Sequence, residues 1–105
     1  METLNFNKVL DQIEGNSAEL IRADAVSVEV MKFEEGEKDQ QHAHGEDEVY
    51  YINSGTAKLS VEGESTEVSE GDVIHLEPGT EHRFHDFKDE LVTTVLYAPA
   101  KGSKE

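Results

Sequence analysis

The chain contains no cysteine. That excludes disulfides, a thiolate nucleophile, iron–sulfur clusters and thiolate zinc sites, so a metal here would have to be held by imidazole and carboxylate. Positive charge is also scarce. Seven Lys and two Arg (Arg22 and Arg83) stand against 24 acidic residues, for a formal net charge of −15. With no basic cluster, a phosphate backbone would be repelled wherever it approached, which argues against nucleic-acid binding. Long apolar runs are missing too, and the opening METLNFNKVL has neither a basic start nor an extended apolar stretch. The expectation is a soluble, cytoplasmic protein without a membrane partner.

What the chain does hold is a short, acidic sequence of 105 residues whose branched apolar side chains arrive in alternating blocks. That is enough for one small core and points to a folded domain rather than disorder. The acidity has two readings: surface carboxylates that keep copies apart, or adaptation to strong salt, where screening weakens self-repulsion.

The first residues are the least regular. Leu4, Phe6, Val9, Leu10 and Ile13 mix periods of two and three, consistent with one or two helical turns before Gly15 and Asn16. Residues 1–18 are expected to form an N-terminal arm, either weakly structured or docked on a neighbouring copy, residues 19–98 the main domain, and residues 99–105 a frayed tail. From Glu19 onward the pattern is sheet-like. Val26, Val28 and Val30 alternate with Ser27, Glu29 and Met31, a strand with one buried face. Further strands are expected at Glu48 to Ile52, Ala57 to Val61, Ser65 to Val68, Val73 to Leu76, His82 to Phe87 and Leu91 to Tyr97, punctuated by Gly and Pro turns. Seven or eight short strands describe an all-β barrel or sandwich.

Histidine placement is the most informative feature. His42 and His44 are two residues apart, and Glu48 keeps their parity. On extended backbone such side chains point to one side. Two imidazoles and a carboxylate suit iron(II), manganese, nickel or zinc. On its own, His-Ala-His-Gly-Glu-Asp-Glu also reads as a hydrophilic loop whose imidazoles are solvated by neighbouring carboxylates.

The longer pattern resembles the cupin superfamily, in its small single-domain form. Gly36, five residues, His42, one residue, His44, three residues, Glu48, six residues and Gly55 reproduce the spacing of the first cupin motif. Gly71-Asp72 and Gly79-x-x-His82 resemble the second. There are two departures: Glu77 stands where the family usually has proline, followed by Pro78, and Asp86 stands where Asn is frequent. Fifteen residues separate Gly55 from Gly71. The resemblance implies a double-stranded β-helix (jelly-roll) barrel with His42, His44, Glu48 and His82 directed at one divalent metal ion, leaving positions open for a small molecule or dioxygen.

Parity makes Tyr50, Ile52 and Phe84 candidates for the pocket wall, with plain core packing as the other reading. Met31 and Phe33 belong to the same group. His75 is either a lining residue or a satisfied wall histidine, and His85, of opposite parity to His82, points away. Tyr50 is the one candidate catalytic hydroxyl. The expected function is that of a divalent-metal-binding protein, in its most concrete form an oxygenase acting on a small organic molecule. The alternatives are a non-catalytic small-ligand binder or sensor and a metal-dependent isomerase or epimerase. Small barrels of this family tend to pair, so a homodimer is expected.

Overall fold

Short alternating blocks broken by glycine turns favour hairpins, and the chain folds almost wholly into antiparallel strands. The computed structural model describes residues 1–39 and 43–103. After a helix α1 (Phe6–Gln12), capped by the Asn5 side chain accepting from Lys8 N, come β1 (Ser17–Arg22), β2 (Ser27–Phe33), β3 (Asp47–Ser54), β4 (Thr56–Val61), β5 (Glu64–Ser69), β6 (Val73–Leu76), β7 (His82–His85) and β8 (Leu91–Ala98). They form a five-stranded sheet ordered β1-β2-β8-β3-β6 and a three-stranded sheet ordered β5-β4-β7. α1 buries no residue of its own, whereas Ser17 and Ala18 pair with Met31 and Val30 of the same chain.

Register decides which side chains face the interior. Directly opposed residues on adjacent antiparallel strands share a face. Ser27, Tyr97, Glu48 and Leu76 therefore form one inward row, Glu29, Val95, Tyr50 and Ile74 the next, and Met31, Thr93 and Ile52 a third. Leu59 and Phe84, paired across β4 and β7, close the core from the smaller sheet. The valines of β2 are thus not its barrel-facing set. Val28 and Val30 lie on the outer side, and the inward side carries Ser27, Glu29, Met31 and Phe33. Alternation shows that a strand has two faces; only pairing with β8 says which one is inside.

Turns tie the halves together. Gly71 N donates to Ile52 O at 2.9 Å and Ile52 N to Asp72 O at 2.9 Å, fixing the start of β6 against β3. Asp86 has φ 53°, a left-handed conformation that Asp and Asn both tolerate, so the departure from Asn preserves the turn.

The C-terminal segment differs from the sequence expectation. Over residues 99–103 it is held to the barrel rather than frayed: Ala100 is buried, Lys101 N donates to Ser27 Oγ at 2.9 Å, and Arg22 Nη2 donates to Lys101 O at 2.8 Å. These partners lie more than seventy residues away in sequence, where local composition carries no trace of them. Among the described residues no helix is long and apolar enough to cross a membrane.

Candidate metal centre and its cavity

Strand parity places Glu48 and Tyr50 inward from β3, and β7 brings His82 inward from the facing sheet. Glu48 and His82 are 1% and 5% exposed, and Glu48 Oε1 lies 3.6 Å from His82 Nε2. Tyr50 bridges them: its hydroxyl donates to Glu48 Oε1 at 2.9 Å and stands 3.0 Å from His82 Nε2. The other ring nitrogen, Nδ1, is 3.0 Å from Thr80 O. A carbonyl can only accept, so Nδ1 carries the proton and donates it there. Nε2 is then the nitrogen turned toward Glu48, and this backbone contact fixes tautomer and ring orientation as for a metal-ligating imidazole. Phe84 supports the group by packing edge-on against the Tyr50 ring at 5.2 Å.

Burial raises the Glu48 carboxyl above its ordinary value. His82, the Tyr50 hydroxyl and His44 pull it partly back, and the neighbouring Glu46 adds to the rise. Such a carboxylate gains from a cation close by.

His44 is half-buried in the loop before β3. Its carbonyl accepts from Gly79 N at 2.7 Å, joining the two motif regions, and its ring stands edge-on to Tyr97 at 5.7 Å. His42 lies outside the described residues. Among the described residues no three His, Asp or Glu side chains stand together closely enough to hold a metal ion. Glu48 and His82 are brought together, and His44 lies near enough for its charge to act on the Glu48 carboxyl.

A cavity of about 350 Å³ opens beside His44, lined by Glu29, Met31, Phe33, Asp39 and Lys101 among others. Met31 and Phe33 border this cavity and also belong to the core cluster. Ile52 and Phe84 are packed in the core and line neither this cavity nor the one of about 510 Å³ beside His82. The second space is bordered by exposed turn residues such as Glu62 and Gly63, so the first, walled by inward barrel residues, is the better ligand site. His75 is not a lining residue. It lies exposed on the outer face opposite Val49, with Nε2 2.8 Å from Asp47 Oδ1, because Ile74 and Leu76 take the inward positions of β6. His85 faces away from the centre, as its parity predicts, 2.6 Å from Ser60 Oγ.

Sequence reasoning missed several residues at this end of the barrel. Glu29, Asp39 and Glu46 are buried along with Glu48. Asp39 Oδ2 accepts from Phe84 N at 2.9 Å, clasping the histidine loop to β7. Lys101, from the docked tail, reaches Glu29 Oε2 at 3.4 Å and lies 5.3 Å from the centroid of the Tyr97 ring. Tyr97 itself is fully buried, and its hydroxyl finds no hydrogen-bond partner among the described residues. An unmatched buried hydroxyl typically costs about 1–3 kcal/mol. Burial first, then the field of Glu29, Glu48, Asp39 and Glu46, pushes the phenol far above its usual range, so it stays protonated.

Two facing antiparallel sheets, with histidine and glutamate directed between them from both, define a cupin barrel. A family model described as Cupin domain (Cupin_2) matches residues 29–97, and the chain belongs to this family. An uncharacterized protein of Streptomyces coelicolor is 32% identical over 100 residues, 89% of this chain and 95% of its own. Among solved structures, a cupin-2 domain containing protein from Shewanella frigidimarina superposes with a TM-score of 0.75 at 18% identity, over 90% of this chain and 93% of that one. The DMSP lyase DddQ from Ruegeria pomeroyi gives 0.67 at 23% identity, over 72% of this chain. This chain spans 39% of that lyase, so the likeness concerns the barrel alone.

Proposed function

We propose that this barrel binds one divalent metal ion, iron, manganese, nickel or zinc, through His42, His44, Glu48 and His82, and that a small organic molecule binds beside it in the cavity bounded by Met31, Phe33 and Lys101. The observation that carries the reading is the buried Glu48–His82 pair, 3.6 Å apart, with the His82 Nδ1 proton committed to Thr80 and Nε2 turned toward the carboxylate. These donors fit the ion: nitrogen and carboxylate oxygen are the ligand types that hold such metals in working sites. When bound, the ion would supply Lewis acidity and, as iron(II), reactivity toward dioxygen.

The chain's own residues favour oxidation over proton abstraction. Tyr50 is engaged with Glu48 and His82, and Tyr97 is held protonated, so neither phenol is poised as a base toward a ligand. Met31 and Phe33 give the ligand an apolar wall, while Tyr50 holds Glu48 and His82 in register. The most concrete reading is therefore a metal-dependent oxygenase acting on a small organic molecule. It rests on acid–base economy.

His44→Ala is expected to remove most of the metal from purified protein, read by elemental analysis; unchanged metal content would sink the site assignment. The iron(II) protein is expected to consume dissolved oxygen only when a suitable substrate is supplied. Failure across a panel of small carbonyl, thiol and phenolic compounds would instead favour a binder or sensor. Pairing of two copies through the outer face of the larger sheet is supported by Tyr51, Val73 and Leu96, large apolar side chains exposed on that face. Sedimentation is the check.

A further inference from the structure

Tyr97 occupies an unusual place for a phenol. It is the cross-strand partner of Glu48 on one side and of Ser27 on the other, and its ring stands edge-on to His44 at 5.7 Å. It therefore touches the surroundings of two of the residues assigned to the metal. Four carboxylates contribute to the field at its hydroxyl, yet none accepts its proton, and among the described residues nothing else does. Lys101, which lines the cavity with His44, covers the ring from the tail side. Phenylalanine would fill the same volume without leaving a buried donor unmatched. The hydroxyl thus has no evident packing role, and it faces an interior rich in acceptors that it does not use.

We infer that Tyr97 is a ligand-binding residue of the proposed centre, whose hydroxyl donates a hydrogen bond to an oxygen atom of the molecule bound beside the metal. The inference rests on the metal-site reading above. It narrows the ligand to molecules that present a carbonyl, carboxylate, hydroxamate or hydroxyl oxygen to the centre, because an acceptor is what the unmatched phenol O–H can pair with. Such a donor discriminates strongly between ligands that have an oxygen at that point and those that lack it.

The test compares wild type with Tyr97→Phe, each loaded with cobalt(II), using acetohydroxamate as the oxygen-donor probe and the visible cobalt spectrum as the readout. Both proteins are expected to bind the same amount of cobalt, while the substitution weakens probe binding about tenfold or more. The metal-free variant is expected to melt at the same temperature as wild type or higher, since it loses only an unmatched hydroxyl. Equal probe affinities at equal cobalt content would overturn the assignment. So would loss of cobalt, or a lowered melting temperature with unchanged affinity, either of which marks a structural role. A wild-type protein that takes up cobalt but no probe also overturns it. If wild type takes up no cobalt, the metal-site reading fails first and the Tyr97 assignment falls with it, a result distinct from the others.

Discussion

Gly55→Ala is expected to destabilise the protein by about 3 kcal/mol or more, enough to lower its melting temperature by roughly 12 °C or more. Gly55 joins β3 to β4 with φ 91°, a conformation that side chains rarely adopt. A Cβ there would also stand inside van der Waals contact with the Glu90 carbonyl oxygen and 2.9 Å from Leu91 Cα. Both obstacles are backbone atoms at the start of β8, a central strand, so relief would require moving the sheet. Gly36 is the internal control. Its φ is 88°, but a Cβ there meets nothing within 4 Å. Gly36→Ala should therefore cost only the dihedral strain, about 1 kcal/mol. Thermal melts of the two variants separate the effects; equal losses would contradict the claim that close approach of β8 requires the glycine at 55.

Glu48→Gln is expected to act in opposite directions on the two forms of the protein. It removes an anionic ligand, so metal content should fall. In the metal-free barrel the same change should raise stability at neutral pH, because burial makes the ionised carboxyl unfavourable. The pH dependence follows from the raised folded-state value. Below the unfolded carboxylate range, about pH 4, Glu48 is protonated in both states and contributes no difference. As pH climbs toward its folded value, the unfolded chain releases the proton first, and folding is progressively disfavoured. Above the folded value the penalty is complete. The melting temperature of metal-free Glu48→Gln should therefore pull ahead of wild type as pH rises through that window and then keep a constant lead. Glutamine can still accept from the Tyr50 hydroxyl, which limits collateral damage. Parallel curves across the window would contradict the assignment of strain to this carboxyl.

The strands were legible because each is short, β-branched and bounded by glycine: β4 and β5 read as a hairpin from Ala57, Leu59 and Val61 set against Val68 around Gly63, and they pair as one. Orientation was less legible. Alternation of Val28 and Val30 with Ser27, Glu29 and Met31 marks two faces without ranking them, and it is pairing with Tyr97, Val95 and Thr93 that turns Ser27, Glu29 and Met31 inward. For His75 the lining alternative gives way to the satisfied wall histidine, since a four-residue strand carries too little alternation to say which side is inside.

At the site, the meeting of Glu48 and His82 follows from motif spacing, while the engagement of Tyr50 with both is a matter of geometry that spacing only hints at. Lys101 and Asp39 were beyond reach. A composition of Pro, Gly, Ser and Lys looks like a loose tail, and the contacts that dock it come from the other end of the chain. The charge excess also changes meaning. Most of the 24 acidic residues are solvated, but Glu29, Asp39 and Glu46 are buried with Glu48, so part of the acidic excess is built into the interior of the barrel.

The central claim is that this cupin barrel holds a single divalent ion between its two sheets. Anomalous X-ray scattering from crystals of the metal-loaded protein, collected on both sides of the metal's absorption edge, tests it directly. The account predicts one peak per chain, within bonding distance of Glu48 and of His82 Nε2, with His42 and His44 completing the set. A peak elsewhere, or none at this pair in protein shown by elemental analysis to carry metal, would contradict it.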